Sequence, residues 1–226
     1  MTDVVSYGTL IEQLDTAEEL TNYGQVPRST VFELRIQSAE LLKSKAAQEL
    51  ETRRLTNLTP THLYLEALFQ IDFFPPQYSQ VPANNLFFIE DMQSKILANL
   101  ALCFLNAGNF FLANRAADLG LKRAKTPELS AKIIYRKSQA LKEIGNIPAA
   151  RTAAEAASQF SPDDLKIQDL VKELRIKEIE YLEREAEEKK AAELIAAEEA
   201  AREVAAQVEP PAYYENWFCC RRRKIE

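Results

Sequence analysis

Residues 95–113, KILANLALCFLNAGNFFLA, align without a gap on residues 132–150, KIIYRKSQALKEIGNIPAA, at a constant offset of 37. Lys95 meets Lys132, Ala101 meets Ser138, Phe104 meets Leu141, Gly108 meets Gly145 and Ala113 meets Ala150. Small residues recur where two helices must approach closely, and a large apolar residue recurs one turn later to fill the groove between them. The recurring glycine suits the left-handed conformation that ends a helix, and Pro148 suits the first turn of the next one. Each unit therefore reads as a helix–turn–helix hairpin that cannot bury its apolar face alone and must stack on a neighbour. The predicted fold class is all-α: a superhelical stack of about three helix hairpins closed by a long C-terminal capping helix.

Working outward, the stretch VFELRIQSAELLKSKAAQELETRRL after Thr30 carries apolar residues at three- and four-residue intervals. TNLTP ends it, with Pro60 placed to open the shorter and more apolar helix THLYLEALFQIDFF. Pro75, Pro76 and Pro82 then predict an irregular insertion over residues 75–87. Downstream, the proline and two aspartates of SPDD (161–164) cap a further helix. Its stripe of Ile167, Leu170, Val171 and Leu174 is suited to cover the last hairpin, as the end of a stack requires. Beyond Leu182 the segment is rich in alanine and charge, with strong helix formers, little to bury and no sustained heptads for a coiled coil. The expected organisation is an N-terminal extension (1–30), a repeat domain (31–162), a capping and charged helix (163–209) and a flexible tail (210–226).

Composition agrees with helices. Of 226 residues, 46% are hydrophobic and only five are glycine, too few for the tight turns of a many-stranded fold. The start MTDVVSYGTL lacks the pattern of a secretory signal and no apolar run reaches a membrane span, so a cytoplasmic location is expected. A net charge of −6 gives no general attraction to nucleic acid. One histidine (His62) and three cysteines, of which Cys103 lies in an apolar helical pattern, supply no metal-ligand spacing. No phosphate loop or nucleophile elbow appears either, so neither enzyme activity nor a cofactor is expected.

The candidate chemistry lies on the first helix of each hairpin. Lys132 and Arg136 are one turn apart and leave the same helix face. The 37-residue offset puts Asn99 at the position equivalent to Arg136, with Lys95 one turn before it. An amide and cations converging from two helices can hold a carboxylate through charge-assisted hydrogen bonds.

The spacing of small and large positions over residues 90–162 resembles the tetratricopeptide repeat (TPR). The segments ANLALCFLNAGNFFLANRAADL and AKIIYRKSQALKEIGNIPAARTAAEAASQFSPDD are similar to the carboxylate-clamp repeats of large FKBP-type immunophilins and related co-chaperones. That resemblance, which covers roughly residues 30–185, implies a protein–protein adaptor. Its groove would bind the acidic Glu-Glu-Val-Asp tail of a cytosolic heat-shock chaperone, with Asn99, Lys132 and Arg136 on the peptide carboxylate. In the family the first repeat adds a lysine and an asparagine one turn apart. Here Arg35 and Lys43 are the candidates for the lysine, but Ala39 and Ala47 stand where the asparagine would be. Residues 1–30 are too few for the isomerase domain that precedes these repeats in the family, so a non-catalytic relative is expected.

The tail YYENWFCCRRRKIE offers a second reading. Cys219 and Cys220 as lipidation sites, with four consecutive bases, would supply the two signals of stable membrane attachment and make the chain a membrane-tethered scaffold. The same tail also reads as a disordered segment with free thiols, or as a basic nuclear signal.

Overall fold

The computed structural model describes residues 28–52, 58–73, 81 and 83–207. Among them all regular structure is helical: α1 (Phe32–Thr52), α2 (Leu58–Ile71), α3 (Ala83–Asn106), α4 (Phe110–Leu121), α5 (Pro127–Ile144), α6 (Ile147–Phe160) and α7 (Leu165–Gln207). Helix α1 packs on α2, α3 on α4 and α5 on α6; successive pairs meet through α2 with α3 and α4 with α5, and α3 also lies against α5. Three hairpins therefore stack as the repeat predicts. The expected insertion over 75–87 is shorter than its prolines suggested, because α3 already begins at Ala83. No proline or glycine follows Pro82 until Gly108, so nothing in that stretch opposes helix.

The two aligned turns are built alike. Gly108 and Gly145 adopt φ of 75° and 90°. After each, an asparagine caps the next helix: Asn109 Oδ1 accepts from Leu112 N and Asn146 Oδ1 from Ala149 N. A Cβ on Gly145 would meet nothing within 4 Å, so the backbone angle alone demands glycine there. Gly145→Ala is expected to cost about 1–2 kcal/mol, read as a lower urea midpoint with an unchanged slope.

The small positions serve close approach. Ala101 and Ser138 are fully buried, and the Ser138 hydroxyl donates to the Ala150 carbonyl at 2.7 Å, tying α5 to α6. The Ser94 hydroxyl does the same from α3 to Gly120 O of α4 at 2.9 Å. Between these contacts Leu65, Leu68 and Ile71 of α2, Ile96, Leu97 and Leu100 of α3 and Ile133 of α5 are fully buried and form the core.

Residue contacts divide the chain into two units, Met1–Glu178 and Ile179–Glu226. In the first, Asp164 starts α7: its Oδ1 accepts from Lys166 N and its carbonyl from the Ile167 and Gln168 amides. Ile167, Leu170, Val171 and Leu174 are buried against Ala150, Ala154 and Ala157 of α6 and Ile134, Tyr135 and Leu141 of α5, so α7 caps the last hairpin. Arg151 and Arg175 share Glu155 at the rim of this contact. In the second unit α7 continues to Gln207, and every described side chain from Leu182 to Val204 is exposed. No helix among the described residues is long and apolar enough to cross a membrane.

Candidate functional site

The first helices of the three hairpins share one cleft. It encloses about 280 Å³ and is lined by Lys43, Ser44 and Ala47 of α1, Lys95, Ala98 and Asn99 of α3, and Leu129 and Lys132 of α5. Its apolar lining comes from Ala47, Ala98 and Leu129, and its polar side chains are three ammonium groups, one amide and the Ser44 hydroxyl. Lys95 is held by Asp91 one turn earlier, at 2.6 Å. Among the described residues no carboxylate pairs with Lys43 or Lys132. Burial, and next to it the Arg136 guanidinium, pushes the Lys132 ammonium below its ordinary range. Both causes disfavour its charge, and a guest anion would relieve the second.

No family model matches the chain and no curated protein does. Its structure is similar to the C-terminal TPR-containing domain of an FK506-binding protein from Plasmodium falciparum. The TM-score is 0.60 at 19% identity, over 69% of this chain and 97% of that one. The chain has the fold of a TPR domain. It resembles the TPR domains of FKBP-type proteins, and the face that such repeats line with their first helices is the one that carries the cleft.

Under the TPR cleft the polar side chains form a chain of donors and acceptors across all three hairpins. Arg136 of α5, 6% exposed, donates through Nη1 to the Ala98 carbonyl and, at 3.4 Å, to Asn99 Oδ1. Asn99 donates through Nδ2 to the Tyr64 hydroxyl of α2 at 3.1 Å. A guanidinium has donors only, so the oxygen of the Asn99 amide must face Arg136 and its nitrogen must face Tyr64. Burial lowers Arg136 to about 10 and raises Tyr64, which is fully enclosed, to about 12. Cys103 lies in the same layer, where burial raises its thiol to about 11. It is the small buried group that its apolar surroundings predicted.

The sequence-predicted residues thus separate into layers. Asn99, Lys132, Lys95 and Lys43 share the cleft wall. Arg136 lies beneath Asn99, and it borders a neighbouring cleft of about 370 Å³ with Leu102, Tyr135, Lys166 and Lys132, which lines both clefts. Arg35 is not in either group. Its Nε and Nη2 donate to the carbonyls of Gln70, at 2.6 Å, and Asp72, at the C-terminal end of α2, and its guanidinium stacks 3.9 Å from the Phe73 ring centre. Of the two candidates on α1, Lys43 is therefore the one at the TPR cleft, with Ala47 one turn on. Tyr64 carries no signal of its own in the sequence, where it is one aromatic residue in an apolar helix 35 positions from its partner. Asp91 was legible as the fourth residue before Lys95. Cys219, Cys220 and the basic tail lie outside the described residues, as do residues 1–27.

Proposed function

We propose that this TPR domain is a co-chaperone-like adaptor whose cleft captures the C-terminal carboxylate of an acidic peptide. The tail of a cytosolic heat-shock chaperone is the ligand class to try first, and the cytoplasm is the matching location. One observation carries the reading: Lys43 from the first hairpin and Lys132 from the third flank the Asn99 amide of the second, with no carboxylate paired to either lysine among the described residues. A terminal carboxylate between them gains two cations and an amide donor at once. Ala47 supplies no donor where the family's asparagine would stand, so the grip relies on the lysines.

The test is calorimetric titration with a short acidic peptide that ends in a free carboxylate, alongside the same peptide amidated. Amidation should weaken binding about tenfold or more, since it removes the charge that the lysines face. Lys132→Ala and Lys43→Ala should each cost about fivefold, the modest value expected where water screens the ammonium. Equal affinity for acid and amide would remove the reading. The pH dependence has a fixed sign. A bound carboxylate raises the Lys132 pKa from its lowered value in the free protein, so binding takes up a proton when pH approaches the lysine range. Affinity should therefore fall as pH rises there, and Lys132→Ala should flatten that slope.

A further inference from the structure

The clamp residues touch the cleft, but the group that fixes the amide among them does not. Tyr64 is fully buried on α2, the second helix of the first hairpin, and is no part of the cleft wall. Its oxygen nevertheless accepts one of the two Asn99 Nδ2 hydrogens, while Asn99 Oδ1 faces the donor-only guanidinium of Arg136. The amide is thus gripped at both ends, by one residue from the first hairpin and one from the third. That leaves the second Nδ2 hydrogen as the amide's remaining donor. The grip matters because the Asn99 side chain turns easily about its own bonds: the donor-only Arg136 opposes an end-for-end flip, and the Tyr64 hydroxyl, which could pair with either end, holds the nitrogen end in place so that its second hydrogen keeps one direction.

We propose that Tyr64 is a positioning residue for recognition of the peptide carboxylate: Arg136 decides which end of the Asn99 amide is the oxygen, and the Tyr64 hydroxyl anchors the nitrogen end so that its second hydrogen stays aimed at the carboxylate, which sets the difference in affinity between a free acid and an amide. The assignment rests on the reading of the cleft as a carboxylate clamp. It adds that discrimination at the second hairpin depends on packing against the first, although Ala47 of the first hairpin has no side-chain donor.

Tyr64→Phe keeps the ring and its packing and removes only the hydroxyl. In this variant the acid-over-amide preference should fall about fivefold, from weaker binding of the free acid, while the affinity for the amidated peptide stays as in the parent. An equal loss for both peptides would mean that Tyr64 only supports the fold, and an unchanged preference would mean that Asn99 is oriented without it; either result overturns the proposal. The clamp reading is tested separately, by the acid-over-amide preference of the parent chain. Should Tyr64→Phe fold poorly, the parent itself still answers. Of the two Asn99 side-chain NH signals in the NMR spectrum, the free-acid peptide should shift mainly one, the hydrogen not held by Tyr64, and the amidated peptide neither. Equal shifts of the two Asn99 signals with the free-acid peptide would also overturn it.

Discussion

Leu174→Ala is expected to lower the unfolding free energy of the first unit by about 3 kcal/mol. Leu174 is fully buried and packs, with Leu170 and Val171, against Ala150 and Ala154 of α6 and the flanks of Tyr135 and Leu141 of α5. The neighbours on α6 are alanines with no side chain long enough to move into the space, so the cavity stays open and its full cost is felt. For a unit of this length the change corresponds to a fall in melting temperature of roughly 6–12 °C. The comparison is Leu182→Ala: Leu182 is exposed, and its loss should change the melting temperature by less than about 2 °C. If both variants melt with the parent, α7 does not cap the stack. A cap that comes loose uncovers the apolar face of α6, so Leu174→Ala should also aggregate at lower temperature.

Arg136→Ala should have the other large effect, and on two properties at once. Its guanidinium donates to the Ala98 carbonyl and the Asn99 amide oxygen in a nearly enclosed layer. Truncation takes the guanidinium from the Asn99 amide oxygen and from the Ala98 carbonyl, which keeps its bond within α3, and empties the volume of a long stem, at a combined cost of about 2–4 kcal/mol. Affinity for a free-acid peptide should fall about tenfold as Asn99 loses its orientation and the site loses a cation. Arg136→Met separates the two. Burial already opposes the charge on Arg136, and an apolar side chain of similar length avoids that cost. The methionine variant should therefore recover most of the stability in a urea titration while binding as weakly as the alanine variant. Recovery of affinity along with stability would mean that Arg136 matters only as packing.

The variants bear on residues that the amino-acid sequence reveals to different degrees. The stack of hairpins is legible because its signals are local. Gly108 and Gly145 mark turns by their position 37 residues apart, Ala101 and Ser138 mark close helix contacts, and the stripe from Ile167 to Leu174 has the period of one helix face. Each of these can be read without knowing what lies across the interface. The cleft is legible in part. Lys132, Asn99 and Lys95 follow from the repeat, since equivalent positions in stacked hairpins face the same way. The choice between Arg35 and Lys43 does not follow, because both lie on α1 and the first hairpin has no glycine turn to set its alignment.

The sequence by itself determined the helices, their pairing into hairpins and the face on which Lys95, Asn99 and Lys132 lie, because periodicity, turn chemistry and helix caps act within a few residues. Only the tertiary structure decided which side chains form the cleft wall and which support it. The way the first hairpin docks on the second, through α2 and α3, puts Lys43 in one cleft with Lys95 and Asn99, while Arg35 turns to the carbonyls of Gln70 and Asp72. The length of the Arg136 side chain carries its guanidinium under Asn99, where the hydroxyl of Tyr64 from the first hairpin completes the set. Stacking level and the reach of a long side chain between helices depend on how whole surfaces fit, and no local pattern in the chain encodes either.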